Sequence, residues 1–141
     1  IRDRSNEGTF CLAMIETQEA FDNLEDIAST PGLDGLYIGT ADLTIGLNQG
    51  KLRPGFDRTE PEMIEAKKKI LEIAHKHEKV ACLHCGTPEY AAKATNWGFD
   101  LVTITNDVRL LSGAASAHVK KFKELTNQKT DISSETDVSS Y

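Results

Sequence analysis

The feature that most limits what this chain can fold into is a fourfold alternation of short apolar runs with helix-period patterns. Residues 10–15 (Phe-Cys-Leu-Ala-Met-Ile) are a continuous run of strand length, and Ala20, Phe21, Leu24, Ile27 and Ala28 then recur at the spacing of one helix face. Pro31-Gly32 ends that helix. Residues 36–38 predict a second strand, followed by a Gly- and Pro-containing loop over about 46–61. A helix carrying Ile64, Ala66, Ile70, Leu71, Ile73 and Ala74 comes next. Residues 80–84 predict a third strand; Pro88 opens the following helix, which buries Ala91 and Ala94 before a stop at Trp97-Gly98. Residues 101–104 predict the fourth strand, and Leu111, Ala115, Val119, Phe122 and Leu125 mark a last amphipathic helix. Four consecutive strand–helix units require parallel strands joined by helical crossovers. Near-solid apolar strands indicate a sheet covered on both faces. Two α/β architectures satisfy this: a doubly wound open sheet, or part of a (β/α)8 barrel, whose complete form takes about 250 residues.

Charge and cysteine usage narrow the class. Sixteen basic against 22 acidic side chains give a net charge of −6 over 141 residues, the wrong sign for a nucleic-acid surface. The run Lys67-Lys68-Lys69 lies within a helical pattern and reads as a solvated face. Cys11, Cys82 and Cys85 are odd in number and lie in apolar stretches, as expected of reduced, buried thiols in a cytoplasmic protein. No apolar run approaches the roughly 18 residues of a membrane span, and no secretory leader opens the chain, so no membrane partner is expected. The first residue is Ile1 rather than Met, which suggests a start inside a longer product. Residues 127–141 are polar and rich in Ser, Thr and Asp, the composition of a disordered tail behind a folded segment 1–126.

In both architectures ligands bind at the carboxyl ends of the parallel strands. The polar residues there are Glu16 after the first, Gly39-Thr40-Ala41-Asp42 after the second, His84, Cys85 and Gly86 after the third, and Thr105, Asn106 and Asp107 after the fourth. Sequential strands are neighbours about two times in three, at a spacing of ~4.8 Å, so Glu16 and Asp42 could meet at one point. Two converging carboxylates repel unless they share a proton or hold a cation. Oxygen donors so few in number suit Mg²⁺ or Mn²⁺ with water and substrate completing the shell. The structural alternative is a helix cap at Asp42 and a solvated Glu16. The small-residue turn Gly39–Asp42 also exposes backbone N–H groups that could hold a carboxylate. Neither a dinucleotide nor a phosphate-loop glycine pattern is present. In Cys82-Leu83-His84-Cys85, strand alternation sends Cys82 and His84 to one face and Cys85 to the other, which favours a structural role over zinc. His75 and His77 sit near a helix end, where solvated or dipole-stabilised histidines are usual.

Met14-Ile-Glu16-Thr17, a helix, and then Pro31-Gly-Leu-Asp-Gly-Leu-Tyr-Ile-Gly-Thr-Ala-Asp42-Leu-Thr resemble the C-terminal half of the HpcH/HpaI aldolase/citrate lyase family, as does the later Asp107-Val-Arg-Leu-Leu111. The resemblance runs from about Thr9 to Leu125. It implies a (β/α)8 TIM barrel of which this chain supplies the last four βα units, and a class II pyruvate-type aldolase. That enzyme reversibly cleaves 4-hydroxy-2-oxo acids to pyruvate and an aldehyde through a metal-stabilised enolate. Glu16 and Asp42 match the family's ligands for Mg²⁺, Mn²⁺ or Co²⁺, and the amides of Ala41 and Asp42 match those that hold the substrate carboxylate, within the segment Gly39–Asp42. The family's His base and its Arg lie on earlier strands, so no catalytic acid or base is assigned within this chain. Met14 stands where members often carry Gln, and Thr40 where a Gly-Pro-Ala-Asp turn carries Pro. The resemblance further implies a homo-oligomer, trimeric or hexameric, with the last helix on a neighbour. Three other readings remain: a citramalyl- or malyl-CoA-type lyase of the same fold, a catalytically silent cation- and carboxylate-binding module, and an open-sheet protein complete in itself.

Overall fold

The computed structural model describes residues 7–127. Its strands are β1 (Leu12–Ile15), β2 (Gly35–Ile38), β3 (Val80–Cys85) and β4 (Leu101–Ile104). Its helices are α1 (Gln18–Asp22), α2 (Leu24–Ala28), α3 (Thr40–Asn48), α4 (Pro61–Lys76), α5 (Pro88–Trp97) and α6 (Asp107–Leu125). The strands form one parallel sheet in the order β1-β2-β3-β4, with Ile15 opposite Ile38, Ile38 opposite Leu83, and Cys85 opposite Ile104. A doubly wound sheet reverses its strand order at a switch point. This one keeps sequence order throughout, which is the winding of a (β/α)8 barrel, and four of the eight units are present.

The chain divides into two compact units between Ile104 and Thr105. In the first, alternation along the strands separates two faces. Ile15, Leu36, Ile38, Ala81, Leu83 and Cys85 are buried in one core with Met63, Ile70 and Ala74 of α4 and Ala91 and Ala94 of α5. Burying a side chain of Leu or Ile size stabilises by about 1.5–3 kcal/mol, so this face carries the fold. The opposite, inward face bears Met14, Tyr37, Cys82, His84 and Thr103, and Met14 is 53% exposed there. The helix ends follow their residues. Pro61 and Pro88 open α4 and α5, the Thr87 hydroxyl accepts from the Tyr90 amide, and Gly98 closes α5 at φ 109°.

Several expectations need correction. The helix anticipated across 20–28 is two, because Asn23 (φ −104°, ψ 23°) leaves helical geometry and its side-chain amide donates to the Glu19 carbonyl. Part of the anticipated 46–61 loop, together with the Gly39–Asp42 turn, is α3. Its Thr, Gly and Asn are poor helix formers. Burial of Thr40, Leu43 and Thr44 overrides that, with the Thr44 hydroxyl donating to the Thr40 carbonyl at 2.7 Å. Cys11 is exposed, since β1 begins one residue later. Lys67 is not on a solvated face: it is 0% exposed. It follows Met63 by four residues and precedes Ile70 by three, which puts it on the buried stripe despite its charge.

The second unit holds α6, capped by the Asn106 side chain, which accepts from the Arg109 amide at 2.9 Å. None of the helix is buried, and Leu111 is 74% exposed. The tail expected at 127–141 lies, from residue 128 on, outside the described residues. No helix among the described residues is long and apolar enough to cross a membrane.

Candidate metal and carboxylate site

The site starts where β1 and β2 end side by side. The Ile15 carbonyl accepts from the Gly39 amide at 3.3 Å, so Glu16 and Gly39 leave the sheet as neighbours. A Cβ at position 39 would lie 2.9 Å from Oε2 of Glu16 and 3.3 Å from the Met14 sulfur, so the missing side chain leaves room for the carboxylate. Gly39 is also the N-cap of α3 and makes no side-chain cap bond. The amides of Thr40, Ala41 and Asp42 therefore have no acceptor within the helix. Further along α3, a Cβ at Gly46 would come within 3.1 Å of the Glu16 carbonyl and the Gln18 amide. Two glycines thus seat the helix that carries Asp42 directly on the backbone that carries Glu16. Buried Thr40 ties the same helix to β3, its hydroxyl donating to the His84 carbonyl at 3.4 Å.

Beside this junction lies a cavity of about 230 Å³, bounded by the Gly39–Asp42 segment and by Met14, Tyr37, Phe56 and His84. Its Phe56 wall belongs to a loop strapped down from three sides. Asp57 accepts from the Gly86 amide and the Thr87 hydroxyl, both at 2.7 Å. The Tyr90 hydroxyl donates to the Arg58 carbonyl at 2.6 Å. The Lys67 ammonium donates to Tyr90 Oη at 2.7 Å and reaches the carbonyls of Phe56 and Arg58 at 3.5 and 3.4 Å. Burial pushes Lys67 down to about 8, and pushes the Cys85 thiol up to about 11. Phe56 meets the His84 ring edge-on, with centroids 4.6 Å apart.

Gly39, Thr40, Ala41 and Asp42 all border the cavity, whereas Glu16 stands over Gly39 and is not among its lining residues. His75 pairs with Asp100 at 2.9 Å and His77 with Glu25 at 2.5 Å, both away from the site. Cys85 belongs to the helix-covered core. Tyr37, Phe56 and Thr103 were not candidates from the sequence. His84 was read as structural. Their signal was the period-two alternation that puts Tyr37 and His84 on the Met14 face; Phe56 has no such signal, because a loop residue has no period. Among the described residues no group of three or more His, Cys, Asp or Glu could enclose a metal. Two carboxylates suit a hard cation that keeps water and substrate in its remaining positions, and the lack of a side chain at Gly39 leaves the Glu16 carboxylate room beside the start of the helix that carries Asp42.

The sequence profile of the HpcH/HpaI aldolase/citrate lyase family matches residues 1–112. The chain belongs to this family. A hydroxypyruvate/pyruvate aldolase of Rhizorhabdus wittichii is 38% identical over 112 residues, covering 79% of this chain and 43% of that protein. A 5-keto-4-deoxy-D-glucarate aldolase of Klebsiella pneumoniae is 31% identical over 121 residues, covering 86% and 45%. Among solved structures, the citrate synthase SbnG superposes with a TM-score of 0.76 at 26% identity, over 89% of this chain and 49% of that one. A family protein from Burkholderia cenocepacia gives 0.72 at 24% identity, over 86% and 45%. The chain spans about half the length of the relatives it matches. Family membership and the half-barrel winding agree with the resemblance carried by the Glu16 and Gly39–Asp42 motifs.

Proposed function

We propose that this chain is the metal- and carboxylate-binding half of a divalent-metal-dependent aldolase, a carbon–carbon lyase that reversibly cleaves 4-hydroxy-2-oxo acids to pyruvate and an aldehyde. The observation that carries the proposal is the placement of the Glu16 carboxylate against Gly39, at the start of the helix that presents Asp42 to the cavity. Glu16 and Asp42 would hold a Mg²⁺, Mn²⁺ or Co²⁺ ion. When bound, such an ion supplies Lewis acidity toward a keto oxygen and the charge that stabilises an enolate. The α3 amides at Ala41 and Asp42 orient the substrate by its carboxylate, where the helix N-terminus favours negative charge. Met14 and Phe56 give the cavity apolar surface, which limits water around the reacting carbon. On this proposal the proton-transfer base and the family's Arg come from strands outside this chain. Residues 1–126 are then the C-terminal half of the barrel domain and 127–141 a polar tail, in a cytoplasmic homo-oligomer.

The test is cleavage of a 4-hydroxy-2-oxo acid by the full-length protein, followed by pyruvate release. Activity should vanish on chelation and return with Mg²⁺ or Mn²⁺. Full activity in the chelated protein would refute metal dependence. Mn²⁺ binding with no turnover of any 4-hydroxy-2-oxo acid would favour the silent binding module.

A further inference from the structure

We propose that Lys67 is a positioning residue of this site: with Tyr90, it fixes the segment 56–58 so that Phe56 stands as a wall of the cavity. This role rests on the aldolase proposal where turnover is concerned, whereas the anchoring of the segment can be read without turnover. Lys67 lies on the buried stripe of α4, four residues after Met63 and three before Ile70. An apolar side chain would avoid the cost of desolvating a charge at such a position. The lysine there is nevertheless 0% exposed, and its hydrogen bonds go to uncharged acceptors. What its ammonium supplies, and an apolar residue cannot, is three N–H donors.

Three oxygens match the three donors. Nζ lies 2.7 Å from Oη of Tyr90, and 3.4 and 3.5 Å from the carbonyl oxygens of Arg58 and Phe56. Tyr90 gives its own proton to the Arg58 carbonyl at 2.6 Å. The two short bonds thus run from Lys67 to Tyr90 and on to Arg58, and the two longer ones reinforce them. Between those carbonyls, Asp57 is held separately, by the Gly86 amide and the Thr87 hydroxyl. A Cβ at Gly86 would lie 3.3 Å from the Asp57 carboxylate and 3.4 Å from Cβ of Phe56, so the segment rests directly on the end of β3. Phe56 borders the cavity and packs edge-on against His84, which borders it too. None of these anchoring bonds is made to Glu16 or Asp42. A change at Lys67 therefore reaches the cavity by way of Phe56 and leaves the proposed ion ligands in place.

Lys67→Met and Tyr90→Phe in the full-length, Mg²⁺-loaded protein make the test. The second removes one oxygen and keeps the ring that packs edge-on against Trp97, so it carries the test if the first does not fold. Trypsin cleavage after Arg58 is the first readout, because it follows the population in which the segment has left its anchors. Relative to other sites in the chain, it should rise about tenfold in both variants, the worth of about one hydrogen bond. The second readout is the cleavage of 4-hydroxy-2-oxopentanoate. KM should rise about fivefold while kcat stays within about twofold, the mark of lost ground-state binding. In a Phe56→Ala background, Lys67→Met should add less than about twofold to KM, since its effect passes through that ring. Fully multiplying effects of the two substitutions would overturn the positioning role. Unchanged cleavage at Arg58, or a fall in kcat as large as that in kcat/KM, would overturn it as well. An inert wild type would overturn the aldolase proposal, and the anchoring would then stand or fall on Arg58 cleavage alone. Melting temperatures of the variants separate opening of this segment from global unfolding.

Discussion

The two faces of the sheet are made by the same strands, residue by alternate residue, yet they serve different ends. Toward the helices, Ile15, Ile38 and Leu83 are fully buried in the hydrophobic core. Toward the barrel axis, Met14 is half exposed and Tyr37, His84 and Thr103 bond to one another rather than to the core. Burial is thus concentrated on one face, and the other carries the polar side chains. The proposed binding groups, Glu16 and Gly39–Asp42, sit where that second face runs out into the turns after β1 and β2.

The sharpest way to break this division is at the turns themselves. Glu16→Gln or Asp42→Asn in the full-length protein should lower metal-dependent cleavage by about a hundredfold or more, since several kcal/mol of transition-state stabilisation rests on the ligands. Thermal melting of the metal-free protein should hardly move. Next in size, Leu83→Ala on the helix side should cost about 2–5 kcal/mol in urea unfolding, while Met14→Ala on the inward side should cost under about 1 kcal/mol. Comparable costs would erase the distinction between the faces. Gly46→Ala sharpens it from the other side. Forcing α3 off the backbone of residues 16–18 should weaken Mn²⁺ binding several-fold in a titration, for about 1–3 kcal/mol of stability.

The smallest effect concerns pH. Lys67, held at about 8 by burial, gives up its proton in the folded state while the unfolded chain keeps one until its ordinary 10.5. Stability from this group therefore rises with pH from about 8 toward 10.5. Cys85 opposes it, because an unfolded thiol ionises near 9 and the folded one only near 11. The net gain should fall between about pH 8 and 9, read as a rising urea midpoint, and Lys67→Met should flatten it.

Much of this was legible in the sequence because an apolar face writes itself as a period. All four strands and the helices α4, α5 and α6 came from the spacing of apolar residues, and the placement of Glu16 and Gly39–Asp42 followed from where those strands stop. What escaped had no such pattern. Helix α3 is built from Thr, Gly and Asn, and only tertiary contacts stabilise it. Lys67 occupies an apolar position with a charged residue, so type misled where spacing was right. Phe56 reaches the cavity from a loop, and the Tyr37–His84–Thr103 triangle joins three strands that the sequence keeps far apart.

The strap over residues 56–60 is bolted to α4 and α5 through Lys67 and Tyr90, and to the end of β3 through Asp57, with no bond to Glu16 or Asp42 among those contacts. The aromatic wall of the cavity and the proposed ion ligands are therefore held by different bonds. On the proposed function, an engineer can exchange the aromatic wall at position 56 without altering either residue proposed to hold the ion.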